Sequence, residues 1–228
     1  MFGTHGNLPS ITNLVGYWPF NETSGTNAPD LSGNGNDGTL VNMEDADWVD
    51  GVVGKCLGFN GINEYVNFGD VLDVTTDFTI VFWFKAGATG AAQGLITKGE
   101  HANSSAWGCE LAASGQLVFG GRNYSSGSLG ITRAAITSET FSSGVFYNVA
   151  FTYNGGSENK GNIYVNGVKQ ALSQELVYTL RGNSYPLRIA IYSDGSKPFN
   201  GLIDEVRIYD TALTASEIKA LYLYPGGK

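Results

Sequence analysis

The sequence predicts an all-β protein, a two-sheet antiparallel β-sandwich with one short C-terminal helix. The composition holds 32 Gly, 12 Tyr and 12 Phe among 228 residues, a mixture that favours strands and tight turns over helices. About a dozen short apolar segments alternate in the period-2 manner of half-buried strands. Turn residues separate these segments at short intervals, which is typical of sandwiches.

The clearest strand is predicted at residues 78–85, which carry large side chains on both faces and therefore belong in the middle of a sheet. Asn166-Gly167 predicts a type I′ hairpin, and Thr214 with Glu217 forms a capping box that begins the predicted helix. The other predicted strands lie within residues 14–20, 52–68, 95–98, 107–112, 116–122, 147–153, 162–166 and 187–192.

We predict a single domain at residues 12–224, with an N-terminal tail at residues 1–11 and a C-terminal tail at residues 225–228. Lys and Arg number 13 against 21 Asp and Glu, giving a net charge of −8. No basic stripe interrupts this surface, so we expect no nucleic-acid partner. No segment approaches the ~20 apolar residues of a membrane span, so we expect no membrane insertion. Residues 1–10 lack the pattern of a signal peptide.

Cys56 and Cys109 each lie in an apolar, strand-like segment. Two buried thiols are one interpretation, since a free cysteine behaves as a small core residue. One disulfide in an exported protein is the other interpretation. Spacing alone does not fix the pairing, so both stay open.

Asp204 is the most informative single residue, because it lies in a predicted strand on the register of Leu202, Val206 and Ile208. A carboxylate on a core-facing register is costly unless it is paired, hydrogen-bonded or bound to a metal. The loop at residues 21–37 offers many small oxygen-bearing side chains and glycines, which suit a hard cation as well as an ordinary turn. We therefore predict a calcium site that joins Asp204 to this loop.

Several motifs recur in a characteristic order along the chain. They are GYWPFNE at 16–22, GT at 25–26, DLSGNGN at 30–36, GKCLGFNG at 54–61, FTI at 78–80, YVNG at 164–167 and FNGLIDEVRIY at 199–209. In order and spacing they resemble the bacterial laminin-G-like domains of the concanavalin A-like lectin and glucanase superfamily, and the resemblance spans residues 14 to 223. It implies a jelly roll with one concave and one convex sheet.

The resemblance also implies a structural calcium ion near the first loop and the last strand. Carried over by position, Asp204 supplies a side-chain oxygen and its carbonyl, Asn21 supplies a side-chain oxygen, and Gly25 and Asn27 add carbonyl or amide oxygens. Asp30 is either a further ligand or a brace for the loop. Many relatives carry Asp where this chain has Asn21, so we expect a weaker site.

Sugar recognition in such modules combines an aromatic platform with a few hydrogen-bonding groups. For Trp83, packing under a loop is the alternative to ligand contact, and for Trp107 a core position is favoured. On this basis the candidate ligand-binding residues are Trp83, His101, Trp107, Arg122, Tyr124, Arg188 and Tyr192.

Catalysis is not expected from this sequence. Glycosidases need two carboxylates about 5–5.5 Å or about 6.5–9.5 Å apart, and alternation places Asp204 and Glu205 on opposite faces. We expect a non-catalytic, calcium-stabilised carbohydrate-binding or adhesion module of an extracellular or cell-surface protein, with a glycan or cell-surface polysaccharide as partner. The alternatives are a structural subunit of a filament, pilus or virion, which contacts copies of itself or other domains, and a polysaccharide lyase or hydrolase.

Overall fold

Two antiparallel sheets contain nearly all of the regular secondary structure in a computed structural model that describes residues 13–100, 104–123, 133–156, 158–177, 179–180 and 182–227. Their inner faces share a core of aromatic and aliphatic side chains drawn from both sheets. A single α-helix, α1 (Ala215–Leu223), follows the last strand of the described residues. The predicted fold class is therefore confirmed.

The strands are numbered in chain order. The first sheet contains β1 (Leu14–Trp18), β4 (Trp48–Asp50), β5 (Lys55–Asn60), β7 (Asp77–Ala86), β12 (Tyr147–Asn154), β13 (Lys160–Val165), β14 (Val168–Lys169), β16 (Leu176–Val177) and β18 (Asn200–Tyr209). The second sheet contains β2 (Asn27–Ala28), β3 (Gly38–Val41), β6 (Tyr65–Asn67), β8 (Gln93–Gly99), β9 (Ser104–Leu111), β10 (Leu117–Asn123), β11 (Arg133–Thr137), β15 (Leu172–Gln174) and β17 (Leu187–Ile189). A short 3-10 helix, Asp45–Asp47, precedes β4.

β7 lies in the middle of the first sheet, between β12 and β18, as its pattern predicts. Phe78, Ile80, Phe82 and Phe84 point into the core between the sheets. Its other face is covered by α1, whose buried residues include Ile218 and Leu221. α1 begins with the predicted capping box, in which the Thr214 side chain accepts the backbone N–H of Glu217. This helix therefore encloses the outer face of the central strands.

β18 contains a β-bulge that the period-2 pattern does not reveal. Asp204 pairs with Trp83 and Arg207 pairs with Val81, so β18 has an extra residue in this interval. Glu205 occupies the bulge with φ 54°. Val206 then faces the core, whereas Asp204 lies on the outer face beside Trp83.

The bulge corrects two predictions. Asp204 does not share the core-facing register of Val206 and Ile208, because the extra residue reverses the alternation between them. Glu205 is not on the face opposite Asp204 either, because its carboxylate contacts Tyr17 and Arg207 on the outer side. Both carboxyl groups are nevertheless fully buried, with an exposed fraction of 0%.

The two cysteines lie in different sheets and are free thiols. Cys109 is in β9 and belongs to the core, whereas Cys56 is in β5 and donates from Sγ to the carbonyl of Asp50. Both are fully buried. The structure thus supports the interpretation of two buried thiols over that of a disulfide.

Candidate functional site

The Asp204 carboxylate holds a short loop, residues 51–55, which we name the clasp loop. Its Oδ2 accepts the backbone N–H of Val52 at 2.7 Å and that of Val53 at 3.3 Å. A Cβ at Gly51 would lie 2.5 Å from this oxygen, so only glycine permits the close approach. The other oxygen, Oδ1, is buried and has no hydrogen-bond partner in the described part of the chain.

Asn21 holds the other end of the clasp loop. Its Oδ1 accepts the backbone N–H of Lys55 at 2.8 Å. Gly54 has φ +65°, and a Cβ there would collide with the same Asn21 oxygen. Asn21 and Asp204 thus both contact the connection between β4 and β5, which the sequence prediction of a shared site did not include.

Burial raises the pKa of Asp204 to about 7, and the charge of Glu205 adds to the rise, while the N–H groups of Val52 and Val53 oppose it. Burial also raises the pKa of Glu22, whose Oε2 is buried without a hydrogen-bond partner among the described residues. A buried carboxylate oxygen without a donor is the environment in which a bound cation is favourable.

Calcium fits the donor set at this position. Hard cations take six to eight oxygen ligands, and Asp204 Oδ1 accepts no hydrogen bond within the described ranges, although the nearby Glu205 N–H helps to lower the pKa of this carboxyl. The Asn21 amide oxygen has a second lone pair beyond its bond to Lys55. In the described part of the chain no three His, Cys, Asp or Glu side chains form a metal-binding group, so most ligands would be amide, backbone or water oxygens.

The other predicted metal ligands have different contacts. Asp30 accepts four hydrogen bonds, from Tyr17 N, Ser32 N, Ser32 Oγ and Asn36 N. Asp30 therefore braces the first loop, which is the second of its two predicted roles. Gly25 donates its N–H to Asp45 Oδ1. Asn27 is exposed in β2, where it pairs with Thr39 of the second sheet.

A buried ion pair lies next to the clasp loop. Arg207 Nη2 is 2.7 Å from Glu205 Oε2, which also accepts the hydroxyl of Tyr17 at 3.0 Å. The guanidinium of Arg207 packs 4.3 Å from the centroid of the Tyr17 ring and donates to the carbonyls of Pro225 and Gly227. Burial raises the pKa of Glu205, and the charge of Arg207 opposes that rise. This cluster attaches the last described residues to the sheet.

Three of the predicted ligand-binding residues, Trp83, Trp107 and Tyr192, are buried by protein; burial was the stated alternative for Trp83 and the favoured position for Trp107, and it corrects the assignment of Tyr192 as an exposed contact. Trp83 is 9% exposed and stacks on Tyr222 of α1 with ring centroids 5.7 Å apart. Trp107 is fully buried against Phe78 in the core. Alternation points Trp83 outward but does not show that a helix covers the outer face there, whereas the register that Trp107 shares with Cys109 and Leu111 favours the core position that the structure shows.

The remaining candidates within the described residues, Arg122, Arg188 and Tyr192, lie in or beside the second sheet. His101 and Tyr124 lie outside the described residues. Arg122 is in β10, where its backbone pairs with Ser105 of β9. Arg188 and Tyr192 come together, because Arg188 Nη1 donates to the carbonyls of Tyr192 and Ser193 at 3.3 and 3.1 Å.

Arg188 also defines the outer face of the second sheet. Its Nε donates to Asn67 Oδ1 at 3.4 Å, and its guanidinium lies 4.7 Å from the centroid of the Tyr65 ring. Asn67 and Tyr65 alternate with the core residue Val66 on β6, which sets both on the outer side. The result is a cation, an amide and an aromatic ring on one flat surface.

Glu110 continues this surface, and the sequence analysis did not identify it. Its Oε1 accepts the Tyr192 hydroxyl at 2.5 Å, and its Oε2 pairs with Lys197 at 2.8 Å. A Cβ at Gly108 would lie 2.6 Å from the Tyr192 hydroxyl, so this glycine makes room for the ring. In the sequence, Glu110 alternates with the apolar residues Cys109 and Leu111, and this pattern indicates that Glu110 lies on the outer face of the strand. We name this outer face the second-sheet surface; it comprises the partly exposed Tyr65, Asn67, Arg188 and Lys197, with the buried Glu110 and Tyr192 supporting them from below.

Residues 60–219 match the family model of laminin-G domains in the concanavalin A-like lectin/glucanases superfamily. The chain therefore belongs to this superfamily, as the motifs indicated. A comparison with curated proteins found no match. None of the described helices is both long enough and apolar enough to cross a membrane.

Solved structures share the fold at low sequence identity. The sialidase of Trypanosoma rangeli in complex with sialic acid superposes with a TM-score of 0.70 at 20% identity, covering 96% of this chain and 34% of the sialidase. Domain 4 of AbnA, an extracellular arabinanase from Geobacillus stearothermophilus in complex with arabinotriose, gives 0.65 at 20% identity, covering 92% of this chain and 98% of that domain.

The binding domain of Paraclostridial Mosquitocidal Protein 1 gives a TM-score of 0.67 at 23% identity, covering 93% of this chain and 52% of that one. This chain thus spans about a third of the length of the sialidases that it matches. At these identities the similarity establishes the fold, and the function is argued from the site.

Proposed function

We propose that this domain is a non-catalytic carbohydrate-binding or adhesion module of an extracellular protein, and that it contacts its glycan through the second-sheet surface. The observation that carries the proposal is the position of Arg188, which joins Tyr65, Asn67 and the backbone beside Tyr192 on one face. Two of the solved structures that share this fold were determined with a bound saccharide. They are an arabinanase domain in complex with arabinotriose and a sialidase in complex with sialic acid, and they support a saccharide as the ligand.

The chemistry of the second-sheet surface suits saccharides. Sugar rings offer C–H faces that pack against an aromatic ring, together with hydroxyls that bond to charged and amide groups. Tyr65 supplies the ring, and Arg188, Asn67 and Lys197 supply the polar groups. Hydrogen bonds among these side chains hold them in place before a ligand arrives, which lowers the entropic cost of binding.

The non-catalytic part of the proposal rests on how the carboxylates are used. Glu110 is 9% exposed and engaged with both Tyr192 and Lys197. Asp204 and Glu205 are sealed beneath the clasp loop and the C-terminal segment. A glycosidase needs two carboxyl groups that reach the same sugar bond, and these groups instead perform structural tasks.

The calcium part of the proposal rests on Asp204 Oδ1 and Asn21 Oδ1. A bound calcium ion would supply positive charge to an otherwise uncompensated buried carboxylate. The clasp loop holds Asp204 Oδ2 through Val52 and Val53, so Oδ1 keeps a fixed direction. We assign the ion a structural role, since Asp204 is on the first sheet and the second-sheet surface is on the other one.

Binding of immobilised glycans to the wild-type domain and to Arg188→Ala tests the proposal, with Lys169→Ala, a substitution of an exposed lysine in β14, as control. We expect the wild type and the control to bind the same glycans and Arg188→Ala to lose most of the signal. Equal binding by all three, or release of reducing sugar from a bound polysaccharide, would contradict the proposal.

A further inference from the structure

A groove of about 420 Å³ lies on the outer face of the first sheet, away from the second-sheet surface. It crosses the neighbouring strands β5, β7 and β18. We name it the first-sheet groove. Its lining includes Gly58, Glu64, Lys85, Asn200, Gly201 and Leu202. The volume falls in the range of small-molecule pockets, roughly 300–1,000 Å³.

Glycines keep this groove open. Gly201 has φ +147°, and a Cβ there would collide with the backbone carbonyl of Lys85. A Cβ at Gly87 would collide with Asn200 Oδ1. Gly58 lies beside Leu202, since a Cβ at Gly58 would be in ordinary contact with Leu202 Cδ2 at 3.4 Å. Leu202 therefore presents its apolar side chain to the groove next to Gly58 and Gly201, which have no side chain.

Polar groups with unused hydrogen-bonding capacity line the same groove. Glu64 Oε2 accepts the N–H of Asn60 at 2.7 Å, and the Asn60 side chain also hydrogen-bonds this carboxylate, whose oxygens keep further lone pairs for a ligand. The Lys85 ammonium lies 5.0 Å from the Phe146 ring centroid and forms no ion pair within the described part of the chain. Partial burial raises the pKa of Glu64. A carboxylate and an ammonium thus line one groove without being paired to each other.

We propose that the first-sheet groove is a second glycan site, which binds one residue of an uncharged sugar chain over Leu202, between Glu64 and Lys85. This inference extends the proposed carbohydrate-binding function and rests on its class of ligand. The carboxylate accepts hydrogen bonds from sugar hydroxyls, and the ammonium donates to hydroxyl or ring oxygens. Leu202 contacts the C–H face of the ring, and the Asn200 amide supplies a further polar group.

Charged ligands fit this groove less well. The carboxylate of a uronic or sialic acid would face Asp47 and Glu64, and like charges in a partly buried groove repel. An amine or a metal cation would be attracted by Asp47 and Glu64 but repelled by the Lys85 ammonium, so it too meets a like charge in the groove. An uncharged polyol has no such conflict, because every charged group can form a charge-assisted hydrogen bond with a hydroxyl.

The proposal is tested by titrating the ¹⁵N-labelled domain with arabinotriose, xylotriose, cellotriose and maltotriose, and in parallel with trigalacturonic acid. Amide signals of Gly58, Gly87 and Gly201 report on the first-sheet groove, and those of Gly94 and Gly108 report on the second-sheet surface. The titrations are repeated with Glu64→Gln and Lys85→Met, and with Lys160→Met, a substitution of an exposed lysine outside the groove, as matched control.

We expect at least one neutral trisaccharide to shift the groove amides, and trigalacturonic acid to leave them unshifted. Loss of one charge-assisted hydrogen bond weakens binding by about tenfold or more, so Glu64→Gln and Lys85→Met should each show this loss while Lys160→Met binds normally. Their melting temperatures and spectra show that each variant is folded.

The outcomes separate this inference from the proposed function. Shifts confined to Gly94 and Gly108 would overturn the groove site and leave the second-sheet surface standing. Shifts confined to the groove amides would support the groove site and contradict the second-sheet surface. Binding of trigalacturonic acid in the groove, or equal affinity of all variants, would overturn the inference, and the absence of any shift would overturn both.

Discussion

Asn21 and Asp204 hold opposite ends of the same clasp loop. Asp204 Oδ2 accepts the N–H of Val52 at 2.7 Å, and Asn21 Oδ1 accepts the N–H of Lys55 at 2.8 Å. One side chain follows the first strand and the other belongs to the last, so the loop connects the two ends of the fold. Oδ1 of Asp204 is left buried without a protein donor among the described residues, and the first prediction concerns this atom.

Calcium should stabilise the domain, and chelation should lower its melting temperature. A ligand that binds only the folded state at about 100 times its Kd stabilises by about 2.7 kcal/mol. Replacing the carboxylate in Asp204→Ala should abolish the calcium response, because the charged oxygen is lost. Differential scanning calorimetry with and without calcium measures both effects.

Asp30→Asn is the matched control for this experiment. Asp30 braces the first loop through Tyr17, Ser32 and Asn36, so its substitution should lower the melting temperature but keep the calcium response. A wild-type melting temperature that is the same in calcium and in chelator, with Asp204→Ala also unresponsive, would contradict a calcium site at the clasp loop.

In the chelated protein, Asp204 should make stability fall as pH rises. Its pKa is about 7 in the folded protein against 3.8 for an ordinary aspartate side chain, so between these values the folded state binds more protons than the unfolded state. The free energy of unfolding therefore decreases with increasing pH over this interval and levels off above it. Denaturant unfolding of wild type and Asp204→Asn at several pH values measures the contribution. The variant should lack it, and an identical pH dependence would contradict the assignment.

Much of the fold follows from local patterns in the sequence. Ile80, Phe82 and Phe84 alternate strictly, so β7 was predicted as a central strand and observed as one. The capping box of Thr214 and Glu217 fixed the start of α1 in the same way. These signals are short-range, and a single sequence contains them in full.

The candidate site depends on long-range geometry, and the sequence predicted less of it. The bulge at Glu205 reverses the alternation of β18, and no glycine or proline marks that position. The cover of α1 over Trp83 depends on where the helix packs, which periodicity does not encode. Glu110 was passed over because its partners, Tyr192 and Lys197, are distant in the chain.

Removing Arg207 should destabilise the domain strongly. Arg207→Ala leaves the Glu205 carboxylate buried without its cation, and breaking a buried ion pair in this way costs about 3–5 kcal/mol. The substitution also removes the hydrogen bonds that Arg207 donates to the carbonyls of Pro225 and Gly227. Equilibrium unfolding in urea measures the loss.

A double substitution separates the charge from the packing. Glu205→Gln with Arg207→Met removes both charges and keeps most of the side-chain volume, so it should recover a large part of the stability lost in Arg207→Ala. A double variant that is no more stable than Arg207→Ala would show that the tether of the C-terminal segment, and not the stranded charge, dominates.

Cys56 and Cys109 should be unreactive in the folded protein. Burial raises the pKa of the Cys56 thiol to about 12 and raises that of Cys109 well above its usual range, so neither forms a thiolate at neutral pH. A thiol reagent should label both cysteines only after denaturation. A reducing agent should leave the melting temperature unchanged, whereas a lower melting temperature in reductant would contradict the free-thiol assignment.

Substitutions of Trp83 should lower the stability of the domain, whereas substitution of Arg188 should lower its glycan affinity. Trp83→Ala removes a ring that packs on Tyr222, and truncation of a buried aromatic residue costs about 3–5 kcal/mol. Trp83→Phe keeps part of this contact and should cost less. Arg188→Ala alters the second-sheet surface and should change glycan affinity far more than the free energy of unfolding.

Urea unfolding and calorimetric titration of the three variants measure this separation. Glycan affinity should be the same in Trp83→Phe and the wild type, because α1 covers the ring and the second-sheet surface is on the other sheet. Loss of affinity in Trp83→Phe, at unchanged stability, would mean that a ligand reaches Trp83 and that α1 moves aside to admit it. Loss of stability alone would establish that Trp83 secures α1 to the first sheet.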